Sequence, residues 1–273
     1  GVQTCALPIL QLHGKATGAI LQTYFMDASQ ELLNSTKRPA VLLMPGGAYR
    51  YTSDREAEPL AIRLNAMGFQ VAVLRYSCAP AAYPQALLEA AAAFQLLKDN
   101  SIAWNIRQER IFLMGCSAGG HLAASLGINW NQPIITQYFQ RQDLRPFAQI
   151  LCYPVITAGA YAHEESIRNL LQEHAEDAQL RKHVSLELHV HKDVPRTFLW
   201  HTYTDPTVSV QNSLLFVSAL IRQGILCEFH MYDKGAHGLS TADRLSQRSD
   251  GEKLQPECAG WMTLLETWMN AIL

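Results

Sequence analysis

The sequence predicts an α/β protein: a doubly wound, mostly parallel sheet with helices on both faces and a small helical insertion. Three observations carry this. Strand-like runs alternate with helical ones along nearly the whole chain, as in successive βαβ units. The strand-like runs are continuously apolar, which marks strands covered on both faces. The chain has 273 residues, of which 48% are hydrophobic and 17% charged, enough to build one substantial core.

In chain order, GVQTCALPI (1–9) resembles a peptide translated from sequencing-adapter read-through. It is expected to be a non-native scar outside the fold, leaving 10–273 as a single domain. Strands are expected at 18–25, 40–47, 70–76, 110–115, 148–155, 197–203 and 227–233. Helices are expected at about 55–67, 84–99, 118–128, 208–223 and 257–272. The helix at 84–99 opens with proline in its first turn and sets Leu87, Ala90, Ala91, Phe94 and Leu97 on one face, for packing on the sheet. Residues 158–196 interrupt the alternation. They read as one or two helices over the carboxyl ends of the strands, a lid-like insertion.

Composition excludes several classes. The net charge of −2 and the lack of a basic stripe argue against nucleic-acid binding. No apolar run approaches the roughly 18–20 residues that cross a bilayer. Six widely spaced cysteines without a CxxC pair argue against a zinc ribbon or disulfide framework and favour a reducing, cytoplasmic setting. A lost export signal stays open, as does a homodimer.

Chemistry concentrates at GCSAGG, residues 115–120, which follows the run RIFLM and leads into HLAASLGI. Strand, sharp turn, helix is the setting in which the serine of Gly-x-Ser-x-Gly becomes a nucleophile. No Lys-Ser/Thr follows the glycines, so a phosphate loop is excluded. A serine hydroxyl needs a base, and histidine oriented by a carboxylate is the usual one. His237, in DKGAHGLS behind a strand, can bend back over the sheet edge. His121 is expected beneath Ser117, His201 and His230 within strands, and His189 and His191 as structural, so no metal site is expected. Asp205, in TYTDPTV at the end of a strand, is the expected acid, with Asp233 as rival. Ser117, Asp205, His237 is the chain order of α/β-hydrolases. Cys116 is expected to pack away from the site. The loop MPGGAYRY (44–51) offers backbone N–H groups without side-chain interference, so Gly47 and Ala48 join Ala118 as expected oxyanion donors. Tyr49, Tyr51 and Trp130 are candidates to line the substrate pocket.

PGGAY, GCSAGGHLAASLG, SLELHVHKDVPRTFLWHTYTD and KGAHGL together resemble the acetylxylan-esterase-like, hormone-sensitive-lipase-like branch of α/β-hydrolase esterases, over most of residues 18–273. The resemblance implies a Ser-His-Asp esterase without a cofactor. Pro45 and Ala48 depart from the HGGG form, so tertiary-alcohol ester activity is not implied, and Ser209 stands where many relatives have proline. The xylanase label carried by some relatives does not fit, because glycoside hydrolysis needs two facing carboxylates and no such pair stands out. The expected substrate is a short-chain carboxylic ester, such as an acetyl ester of a sugar or small alcohol. The alternatives are an amide hydrolase (aminopeptidase- or formamidase-like) with the same triad, or a non-catalytic ligand-binding hydrolase fold.

Overall fold

A computed structural model describes residues 18–32, 37–139 and 144–273, and the backbone of strands β1 (Val2–Pro8), β2 (Gln11–Leu12) and β3 (Lys15–Ala16). The main strands are β4 (Ile20–Met26), β5 (Arg38–Met44), β6 (Gln70–Arg75), β7 (Ile106–Cys116), β8 (Ala148–Cys152), β9 (Thr197–Thr202) and β10 (Cys227–Tyr232). Among the described residues they form an eight-stranded sheet in the order β1-β4-β6-β5-β7-β8-β9-β10. Strands β6 to β10 and β5 run parallel, while β4 is antiparallel to β6. All seven expected strands are present. Of the GVQTCALPI segment, the backbone of Val2–Pro8 pairs antiparallel with β4, at an edge that an extended segment can fill through main-chain bonds alone. Gly1 and Ile9 lie outside the described residues.

Continuous apolar strands are what a two-sided core requires, and β5 shows why. Its side chains alternate, so Ala40, Leu42 and Met44 enter one core and Val41 and Leu43 the other. On the first face pack α2 (Gln85–Asp99), α3 (Ala118–Asn129) and α7 (Gln211–Arg222), through Phe94, Leu122, Leu126, Phe216 and Leu220. On the second pack α1 (Glu58–Ala66) and α9 (Trp261–Ile272), through Leu60, Leu64, Trp261, Leu265 and Met269. The expected C-terminal helix is broken at Gly260 into α8 (Pro256–Ala259) and α9. A single turn, α4 (Pro133–Thr136), was not expected.

The insertion holds α5 (Glu164–Leu171), α6 (Ala178–His183) and two 3-10 turns, Gln172–His174 and Leu186–Leu188. Asp177 caps α6 by accepting the N–H groups of Gln179 and Leu180. Ile167, Leu170 and Leu171 recur at helical spacing and join Val184 and Leu186 in the same core as α2 and α3. The insertion is thus packed into the molecule. Loops at the carboxyl ends of β5, β7, β9 and β10 converge beside it, where a switch in strand order opens a crevice.

Candidate active site

Ser117 sits between β7 and α3 at φ 55° and ψ −120°, a conformation that a side-chain-bearing residue adopts only under constraint. The glycines explain how the turn closes. A Cβ on Gly115 would collide with the Gly119 carbonyl, and one on Gly119 with the Met44 carbonyl of β5. The Ser117 N–H donates to the Cys152 carbonyl at 2.9 Å, locking the turn to β8. Cys116 is fully buried in the opposite core, where burial pushes its thiol pKa well up.

Two further strand ends bring the remaining groups. His237 accepts the Ser117 hydroxyl on Nε2 at 2.7 Å and donates from Nδ1 to Asp205 Oδ2, also at 2.7 Å. Asp233 is exposed on its turn and takes no part. Burial alone would raise the Asp205 pKa. Hydrogen bonds from His201 and His237, with the Thr207 N–H, overcome it and hold the carboxyl well below its usual range. Oδ1 accepts the Thr207 and Val208 N–H groups, both at 2.9 Å, a closed Asx turn that fixes the carboxylate. His201 contributes from the core: Nε2 lies 3.0 Å from the Val208 carbonyl and 3.3 Å from Asp205 Oδ2, while Nδ1 accepts the Ser213 hydroxyl at 2.8 Å.

The loop after β5 is held peptide by peptide. The Gly46 N–H donates to Glu56 Oε2 and the Ser53 N–H to the Gly46 carbonyl, each at 2.8 Å. Asn169 Nδ2, from α5 of the insertion, donates to the Ala48 carbonyl at 2.9 Å, and the Ala79 N–H to the Tyr49 carbonyl at 2.8 Å. Ala48 and Tyr49 both have positive φ, 56° and 55°. Among the described residues, no protein acceptor takes the N–H groups of Gly47, Ala48 or Ala118. A Cβ added to Gly46 would come within 2.9 Å of Ser117 Cβ, so loop and serine are in contact. Fixed, unengaged donors beside a nucleophile can hold a developing oxyanion without reorganising.

Glu56, on the 3-10 turn Asp54–Glu56, was not singled out in the sequence. It is buried at 3% exposure, and its Oε1 accepts the Tyr153 hydroxyl at 2.8 Å. The Tyr153 ring stands edge-on to His237 at 5.1 Å, and Trp200 and then Trp261 continue the column at 5.0 and 4.9 Å. Trp261 Nε1 closes it by donating to the Ser240 carbonyl on the histidine loop at 3.0 Å. A lone acid in a mixed segment carries no sequence signal for such a role.

Of the aromatic candidates, only Tyr51 lines the cleft of about 610 Å³ that holds Gly47, Ala48, Ser117 and His237. Tyr49 is a correction. Its positive φ turns it inward to 3% exposure, where its hydroxyl donates to His121 Nδ1 at 2.8 Å. Trp130 is a second correction. It follows the far end of α3, packs against the core and donates to the Asp193 carbonyl at 3.3 Å. His121 lies beneath the serine as expected, with Nε2 donating to the Val184 carbonyl at 2.9 Å, and burial lowers its pKa to about 4. His189 and His191 bond to the Lys182 and Ile128 carbonyls. Among the described residues no group of three or more potential ligands could hold a metal ion, and no helix is long and apolar enough to cross a membrane.

The strand order and this serine–histidine–aspartate line define an α/β-hydrolase. The BD-FAE family model matches residues 26–220, and the chain belongs to that family. Endo-1,4-beta-xylanase B of Butyrivibrio fibrisolvens is 32% identical over 216 residues, covering 77% of this chain and 34% of that protein. Acetylxylan esterase of Xylanibacter ruminicola is 27% identical over 73% of this chain and 40% of its own length. The chain thus spans well under two thirds of these relatives. Two solved structures match nearly end to end. The acetyl ester-xyloside bifunctional hydrolase of Caldicellulosiruptor lactoaceticus is 35% identical, covers 93% of this chain and 88% of that one, and has a TM-score of 0.79. The carboxylesterase Cest-2923 of Lactobacillus plantarum is 27% identical, with 100% and 98% coverage and a TM-score of 0.83.

Proposed function

We propose that the protein hydrolyses short-chain carboxylic esters, acetyl esters of sugars or small alcohols above all, through an acyl-enzyme. The observation that carries this reading is the unbroken line from Ser117 Oγ through His237 to Asp205, with 2.7 Å at each step. His237 Nε2 takes the serine proton as Oγ attacks the ester carbonyl, and Asp205 stabilises the imidazolium that forms. Negative charge on the carbonyl oxygen falls to the N–H groups of Gly47, Ala48 and Ala118. His237 then gives its proton to the leaving alcohol. Water, deprotonated by the same nitrogen, cleaves the acyl-serine bond and regenerates the hydroxyl.

The substrate class draws on the printed activities of similar proteins, an acetylxylan esterase and an acetyl ester hydrolase among them. The free thiols of Cys78, Cys116, Cys152, Cys227 and Cys258 support a reducing compartment. The test is hydrolysis of p-nitrophenyl acetate and of a peracetylated sugar by wild type and Ser117→Ala, with fluorophosphonate labelling of both. Turnover and labelling confined to wild type support the mechanism, and full activity in the alanine variant rejects it.

A further inference from the structure

The cleft around Ser117 is charged rather than apolar. Four cations line it, Arg50, Arg55, Arg248 and Lys253, against three acids, Asp54, Glu56 and Glu165. Each acid is already engaged. Glu165 pairs with Arg50 at 3.0 Å, and Asp54 with Arg75, outside the cleft, at 2.9 Å. Glu56 holds the Gly46 N–H and the Tyr153 hydroxyl. Arg248 pairs with Asp250 and Glu252 on its own turn. Two cations of the cleft lining, Arg55 and Lys253, therefore have no ion-pair partner among the described residues. Arg55 gives Nε and Nη1 to the Ser246 and Gly238 carbonyls, and its buried Nη2 has no partner. Lys253, among the described residues, has no hydrogen-bond or ion-pair partner at all.

Lys253 is also held in place by its backbone. It adopts φ 65°, in the left-handed region that a residue with a side chain takes only when its surroundings impose it. The turn before it is closed by the Arg248 N–H on the Glu252 carbonyl and the Gly251 N–H on the Arg248 carbonyl, both at 2.9 Å. The chain beyond is tied back by the Gln255 N–H on the Ala242 carbonyl at 3.0 Å. A lysine on a pinned turn, half-buried and unpaired at the wall of a catalytic cleft, is placed to meet a negative charge brought by the substrate.

We infer that the preferred ester carries a carboxylate on its alcohol part, bound by Lys253 within the positive field that Arg55 adds. This rests on the short-acyl reading above. An acetyl group fills only a small share of about 610 Å³, so the remaining volume, where the unpaired cations lie, belongs to the alcohol. Among sugar esters, an acetylated uronic acid is the simplest member of that class.

The test compares a mono-acetylated uronic acid with the matching mono-acetylated neutral hexose, read as the ratio of the two kcat/KM values. Wild type should favour the uronate by about tenfold at low salt, and the ratio should fall as ionic strength rises. Lys253→Met should bring it close to unity, Lys253→Glu should reverse it, and Lys253→Arg should keep most of it. Thermal melting checks that each variant folds. A wild-type ratio at or below one, or a ratio unchanged in Lys253→Glu, overturns the assignment. Failure on the uronate with turnover of the neutral ester or of p-nitrophenyl acetate leaves the esterase reading standing and rejects this one, whereas failure on all three rejects both.

Discussion

Glu56 accepts the hydroxyl of Tyr153 in a buried hydrogen bond of 2.8 Å, and through that bond the two halves of the site share one anchor. The other Glu56 oxygen holds the Gly46 N–H of the proposed oxyanion loop, and the Tyr153 ring backs the imidazole of His237. Glu56 touches no reacting atom, so it is a positioning residue. Glu56→Gln keeps the shape but turns one of the two accepting oxygens into an NH2 donor, and a shift of about 1 Å in a catalytic group can cost on the order of 100-fold. We expect kcat to fall about 10- to 100-fold in Glu56→Gln and less in Tyr153→Phe, with KM little changed. A double-mutant cycle should show non-additivity. Additive losses, or a change in KM alone, would reject the shared anchor.

Ser117→Ala should reduce kcat by at least about 1,000-fold, since the remaining oxyanion donors still stabilise attack by water. Asp205→Asn leaves the geometry nearly intact but reverses the proton preference of His237 Nδ1. Its kcat should fall on the order of 10⁴-fold. Steady-state kinetics on p-nitrophenyl acetate reads both.

Stability should fall in two separate pH windows. Burial lowers the His121 pKa from 6.5 to about 4, so the folded state resists a proton that the unfolded chain accepts. This contribution is fully present above pH 6.5 and is lost as pH falls towards 4, a difference of about 3 kcal/mol. Asp205 is also depressed, so its contribution persists above the ordinary carboxylate range and is lost at more acid pH. Denaturant midpoints against pH should show both slopes. His121→Phe should flatten the upper one alone, and an unchanged upper slope would exclude His121 as its source.

Gly119→Ala adds one methyl where the Met44 and Pro45 carbonyls already stand, and neither is the end of a flexible side chain. The expected loss is about 3 kcal/mol or more, from overpacking beside strained backbone. Gly224→Ala is the control, since its Cβ would meet nothing within 4 Å although its φ of 69° adds strain. Thermal melts should rank Gly119→Ala well below Gly224→Ala.

The strands were legible because a run buried on both faces is mostly apolar, and the apolar runs at 40–44, 71–74, 111–114, 150–152 and 198–200 mark β5 to β9. Ser117, Asp205 and His237 were legible because each sits where turn chemistry follows a strand. Glu56 and Asn169 were not, because their meaning comes from partners remote in sequence. Tyr153 is 97 residues from Glu56, and Ala48 is 121 from Asn169. No local pattern encodes such meetings. Tyr49 shows the opposite difficulty. Its place beside the oxyanion loop suggested the pocket, but a left-handed backbone at 55° sent the ring into the core.

The bond from Asn169 to the Ala48 carbonyl makes the insertion a support of the loop proposed to hold the oxyanion. Protein engineers who exchange this segment between relatives to retune substrate range would therefore disturb turnover and selectivity together. The two properties can be separated only if the grafted segment brings an asparagine to the same carbonyl.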